Sequence, residues 1–127
     1  MSRFLAGPFL RLTFIAFSCC LESAIAFSSS AERTDQLLLE CQGKQPREIP
    51  EAGLLSCSRY IDGILDMQAV MIGLGGSFPL FCLPNPGVSV DEAMKIFIKW
   101  ADQHPGELHK PARVSVVVAL NAAFPCR

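Results

Sequence analysis

Four cysteines, Cys41, Cys57, Cys82 and Cys126, constrain this chain more than any other feature, because their compartment decides whether they are thiols or cross-links. Two more, Cys19 and Cys20, lie in the N-terminal stretch MSRFLAGPFLRLTFIAFSCCLESAIA. That stretch sets Arg3 and Arg11 ahead of an apolar run from Leu12 to Leu21 and closes on Ala24-Ile25-Ala26. A basic start, a short apolar run and a small-residue close make a secretory signal, with cleavage expected after Ala26. The run is shorter than the roughly 20 apolar residues a bilayer span needs, and no second run of that length follows. Acylation of Cys19 or Cys20 is the competing reading, but Ala16-Phe17-Ser18 before them lacks the leucine usual at such sites. Export therefore removes two cysteines and leaves four in an oxidising, periplasmic compartment, an even number that reads as two disulfides.

Four cysteines allow three pairings, and their spacing does not choose rigorously among them. Nearest-neighbour topology suggests Cys41 with Cys57 and Cys82 with Cys126, which would pin the chain end to the middle of the sequence. Each closure would stabilise the fold by about 3 to 4 kcal/mol in the chain-entropy estimate, a large share of what a small domain has. Metal binding would instead need close pairs such as C-x-x-C, which the chain lacks. Residues 27–127 suffice for one domain with one core. They carry nine Lys and Arg against eleven Asp and Glu, with no basic cluster, which argues against nucleic acid or an anionic membrane as partner.

Beyond the leader the pattern predicts an all-α fold, a small disulfide-stapled bundle of four to five helices. Ser30 is placed to cap a first helix running to about Cys41, with Leu37, Leu38 and Cys41 on one side and Gly43 past its end. KQPREIPEAG reads as a connector, since Pro46 and Pro50 both refuse a helix interior. From Glu51 a longer helix sets Leu54, Cys57, Ile61, Ile64, Leu65, Gln68 and Ile72 at three- and four-residue spacing before fading at residues 73–76, GLGG. The loop GGSFPLFCLPNPGVS that follows holds Phe78, Leu80, Phe81 and Leu83, apolar residues that need cover. Ser89 and Glu92 match a capping box opening a third helix with Ala93, Ile96, Phe97 and Trp100 inward, ended by His104-Pro105. The β-branched run Val114, Val116, Val117 and Val118 would suit a strand, but no strand partner exists elsewhere. A helix from Pro111 through the Ala119–Ala123 stretch is the expectation.

Groups able to do chemistry are few. His104 and His109 are five apart with Pro105 and Gly106 between, so they cannot grip a metal from adjacent helical turns, and solvated loop histidines are expected. Asp62 and Asp66 are four apart on a helix and mark a wet face, with Arg59 near enough to neutralise Asp62. GLGG follows a helix and lacks Lys-Ser/Thr, so it is not a phosphate loop. No nucleophilic constellation can be assembled from oxidised cysteines and two histidines. No catalytic residue, cofactor or metal is expected.

Several segments together resemble the Rap/Tai immunity proteins of bacterial type VI secretion. CSRYIDGILD places Cys57, Tyr60, Ile61 and Gly63 on that family's cysteine-led helix; FCLPNPGVS places Cys82, Pro84, Gly87, Val88 and Ser89 on its loop. His104-Pro105 and then ALNAAFPC, with Ala119, Leu120, Ala123, Phe124, Pro125 and Cys126, match its close. Pro86 is an addition to the loop pattern. The resemblance implies a periplasmic, helical, commonly dimeric protein, not an enzyme, that binds a peptidoglycan-cleaving amidase effector and plugs its active-site cleft. On that reading Phe78 and Asn85, in the loop of residues 74–88, and Glu107 and His109, in the turn around His104–Lys110, are the candidate contacts. Tyr60, Trp100 and Phe124 are expected in the core. A small periplasmic chaperone or stress-binding protein of the acid-activated helical kind is the alternative.

Overall fold

The computed structural model describes residues 32–46 and 49–127; the expected signal sequence and the Ser30 cap lie outside them. The described residues form four α-helices, α1 (Thr34–Cys41), α2 (Pro50–Gly73), α3 (Val90–Gln103) and α4 (Ala112–Ala123), and one 3₁₀ turn at Pro105–Glu107. Among the described residues there is no strand, only an isolated antiparallel bridge between Arg33 and Pro111. The all-α expectation holds, including the helix chosen for the valine run.

That bridge explains why α1 opens at Thr34 and not just after Ser30. Thr34 and Asp35 donate their backbone N–H groups to Lys110 and Leu108, and Ala112 donates to Glu32. Residues 32–33 are thus held extended against the entry to α4, and a helix there would forfeit those bonds. Arg33 then takes the capping position, its N–H donating to Gln36 Oε1 at 3.3 Å. The second helix includes Pro50 itself, one residue earlier than expected, at a first-turn position where a missing N–H costs nothing. Ser89 caps α3 by accepting from the Glu92 N–H at 3.2 Å, the only half of the expected box that forms.

Leu37, Cys57, Ile61, Phe81, Phe97, Val116 and Leu120 form the centre of the core. α1 and α2 meet at Gly53, where a Cβ would make an ordinary contact, 3.4 Å from the Glu40 carbonyl oxygen. Cys41–Cys57 ties this crossing, and Cys82–Cys126 ties the long loop to the chain end, the pairing that nearest-neighbour topology suggests. Of the α2 stripe, Cys57, Ile61 and Gln68 are buried, whereas Leu54 and Ile72 are exposed. At about 36 Å, α2 is twice as long as α4, at about 18 Å, and outruns its cover. Tyr60, Trp100 and Phe124 pack against the core at its edge and are only partly buried. Met94 and Ala101 take the inner places on α3 beside Ala93 and Phe97, with Ile96 half-buried.

Candidate partner-binding site

The candidate contact residues fall at the two ends of α4. Phe78 and Asn85 belong to the loop that joins the C-terminal end of α4, where Cys82 N–H donates to the Phe124 carbonyl at 2.9 Å. Glu107 and His109 belong to the turn that leads into its N-terminal end. A helix of about 18 Å separates them, so they do not form one compact site.

At the turn the groups are charged and already engaged with one another. Lys110 pairs with Glu107 and holds its carboxyl below the usual glutamate range. His104 stacks on Trp100 with ring centroids 4.4 Å apart, and its Nδ1 lies 2.7 Å from the Trp100 carbonyl oxygen. His109 is exposed. Beneath the turn Thr34 and Ser115 are fully buried: the Thr34 hydroxyl lies 2.8 Å from the Lys110 carbonyl and 2.7 Å from Ser115 Oγ. One hydroxyl carries one proton, so Thr34 donates to the carbonyl and accepts from Ser115.

The loop is built otherwise. Glycines close α2: Gly75 takes a positive φ of 79°, and Gly76 N–H donates to the Met71 carbonyl at 2.9 Å. A Cβ on Gly76 would lie 2.7 Å from that oxygen, so only glycine fits. GLGG is thus a helix stop, as its position after a helix suggests. Further on, the buried amide of Gln68 holds the chain from below. Its Nε2 donates to the Phe81 carbonyl at 2.8 Å, and its Oε1 accepts the Leu80 N–H at 3.1 Å. Asn121 Nδ2 donates to the Leu80 carbonyl at 2.8 Å. Phe81 turns wholly inward, while Phe78, three residues earlier, is 86% exposed. The bond between Asn85 and Pro86 is cis.

Two depressions flank this loop. A groove of about 540 Å³ runs between α2 and α4, lined by Gly63, Ile64, Met67, Leu80, Val114 and Val118 among others, with Arg113 at its edge. A second hollow of about 350 Å³ is bounded by Ile72, Gly76, Pro79 and Leu83. Sequence reasoning by helical period misses Gln68 as a latch and Met67, Val114 and Val118 as groove walls. A plain signal does mark the region: residues 67–90 contain no charged side chain or histidine, and neither do residues 114–126. The loop end of the bundle is made from these two runs and joined by Cys82–Cys126.

Elsewhere the described residues gather no group of three metal-ligating side chains, and none of the described helices is long and apolar enough to cross a membrane. Asp62 and Asp66 lie at the surface of α2. No curated protein and no solved structure matches the chain. The profile of the Rap1a immunity proteins, in contrast, matches residues 33–126, which spans all four helices, both disulfides and the latched loop. With most of its length matched in one continuous alignment, the chain belongs to the family of Rap1a immunity proteins.

Proposed function

We propose that this chain is a periplasmic immunity protein that binds a type VI secreted peptidoglycan amidase and occludes its active-site cleft, protecting the cell that makes it. Membership of an immunity family carries the partner's class, an effector protein. The observation that supports binding by occlusion is the loop end, where exposed apolar residues sit on a backbone fixed by a disulfide and by Gln68. Occlusion needs no catalytic group, only a rigid body that keeps substrate out. Segments ordered before binding lose little entropy in the complex, which favours tight association.

The α2–α4 groove suits a second role, self-association into the homodimer the family resemblance implies. Met67, Val114 and Val118 are each about half exposed along it. A second copy laid there in two-fold fashion would cover both grooves at once. The N-terminal secretory pattern supports the periplasmic assignment.

Titration of the purified, oxidised chain into type VI peptidoglycan amidases acting on isolated sacculi tests this reading. Hydrolysis by the cognate amidase should fall to background near one chain per enzyme. Undiminished hydrolysis by every amidase at a large excess of the chain would overturn it.

A further inference from the structure

The immunity reading leaves open which part of the surface meets the effector. Three observations single out the tip of the loop of residues 74–88. First, Leu74 and Phe78 are 83% and 86% exposed, the two most exposed large apolar side chains among the described residues. Ile72 is 54% exposed as well, so three large apolar side chains at this end of α2 stand in solvent, and clustered exposed apolar surface marks interaction sites. Second, the tip is not a loose end. Gln68 engages both an N–H and a carbonyl of the strap behind it, Asn121 a further carbonyl, and Cys82–Cys126 closes its far side. Exposed phenylalanine on a frame so fixed is a preformed knob. Third, the 24 residues from Met67 to Val90 form the longest charge-free run in the chain, and they supply the whole tip.

We infer that Leu74 and Phe78, held in place by the Gln68 latch, are the apolar anchor by which this chain enters its effector, and that the surface they meet is apolar and uncharged. This rests on the immunity reading above. Side chains more than four-fifths exposed can be enclosed on several sides by a cleft, which covers more of each than the flat face of a membrane would. Aromatic anchors in fully desolvated pockets dominate interface energetics, whereas charged rims contribute mainly to encounter rate. Affinity should then be nearly independent of salt, because no charge on the tip is there to be screened. Gln68 is a positioning residue: it touches no partner, but its amide fixes the path of the backbone that carries the anchor.

The test measures affinity for a panel of purified type VI peptidoglycan amidases, using the oxidised chain, at 50 mM and 500 mM sodium chloride. Phe78→Ser and Leu74→Ser, both at exposed positions, should fold normally and weaken binding at least about thirtyfold each, the scale of an interface hot spot. Wild-type affinity should change less than about threefold between the two salts. Gln68→Glu keeps the length of the side chain but loses the Nε2 donor; it should weaken binding through slower association, while Gln68→Asn serves as the second variant should that one misfold. If the wild type binds an amidase and both serine variants bind equally well, the anchor is overturned and the immunity reading stands. Loss confined to Glu107→Ala or His109→Ala would likewise overturn it, placing the contact at the turn. Variants that abolish self-association yet bind the amidase unchanged would give the tip to a second copy and overturn the effector assignment. Should no amidase bind the wild type, the amidase reading falls and the anchor with it.

Discussion

The two ends of α4 are finished in opposite ways. At its N-terminal end the turn of residues 104–111 is polar, pinned to α1 by backbone hydrogen bonds and by the buried Thr34–Ser115 pair. Its charges are engaged with one another, Glu107 with Lys110, and one of its two histidines, His104, stacks on an indole. At the other end the loop is free of charge, held by a disulfide and one buried amide, and it leaves Phe78 in solvent. A polar surface gains little by being covered, because its groups must exchange water for partners of equal quality. An apolar surface that is costly to expose and expensive to order in advance is different: its retention points to a partner. The contrast teaches that stability and recognition are placed at separate ends of one helix.

Within the loop itself the sharpest expected contrast is between two phenylalanines three residues apart. Phe81→Ala should cost about 3 to 5 kcal/mol in urea unfolding, as for other fully buried phenylalanines. Phe78→Ala should leave stability within about 0.5 kcal/mol, as for an ordinary surface change. Equal costs would erase the division between a structural inner face and a recognition outer face.

Next in size come the disulfides. Replacing both Cys82 and Cys126 by serine opens a closure of 44 residues, and replacing Cys41 and Cys57 one of 16. Chain entropy predicts losses of about 4 and about 3 kcal/mol. Hydrogen exchange should localise the first loss to the loop end of α4 and leave the turn unchanged; uniform loosening would show that the ends are not independent.

Much of this fold is legible in the sequence, for reasons that differ by element. Ser89 and Pro105 bracket α3 through local chemistry, and Pro111 does the same for the start of α4, so nothing distant need be known. The onset of α1 is different. Residues 32–33 are captured by residues 108–112, far along the chain, and no helical period reports that competition. Gln68 falls on the α2 stripe by spacing, yet its bonds go to Leu80 and Phe81 in a loop whose path carries no period. Leu54 and Ile72 share the same stripe and stay exposed because α2 is longer than the helices packed on it. For the candidate contacts, sequence places Phe78 and His109 in loops but cannot say that those loops stand at opposite ends of one helix.

Polar latches at the two ends allow a balanced comparison of smaller size. Thr34→Val strands the Ser115 hydroxyl and leaves the Lys110 carbonyl only the Thr34 backbone N–H, and Gln68→Leu strands the Leu80 N–H and Phe81 carbonyl. Each should cost about 1 to 3 kcal/mol in chemical denaturation. Only Gln68→Leu should also weaken amidase binding; an equal effect of Thr34→Val would dissolve the distinction between the ends.

The smallest effect is expected from pH. Partial burial, followed by the neighbouring Glu40 carboxyl, raises the Glu32 carboxyl above the ordinary glutamate value. Glu40 Oε2 is buried without a partner, and a protonated Glu32 can donate to it. The folded state therefore binds this proton more tightly than the unfolded one. Its contribution is fully present below the ordinary glutamate range of about pH 4 to 5 and is lost as pH rises through the higher folded value. Asp35, held low by Arg33, works in the opposite sense, its contribution being lost as pH falls through its lowered value. Glu32→Gln should remove only the first of these slopes, read as a flatter dependence of the unfolding midpoint between pH 4 and 7. An unchanged slope would detach the Glu32 carboxyl from stability and leave the turn end held by its backbone hydrogen bonds and the Thr34–Ser115 pair.

Hydrogen exchange on the complex with an inhibited amidase compares the two ends in a single experiment. The account predicts that backbone amides of residues 74–80, the exposed part of the loop, gain protection on binding while those of residues 104–110 exchange as in the free protein. Protection at the turn, with the loop unchanged, would contradict it.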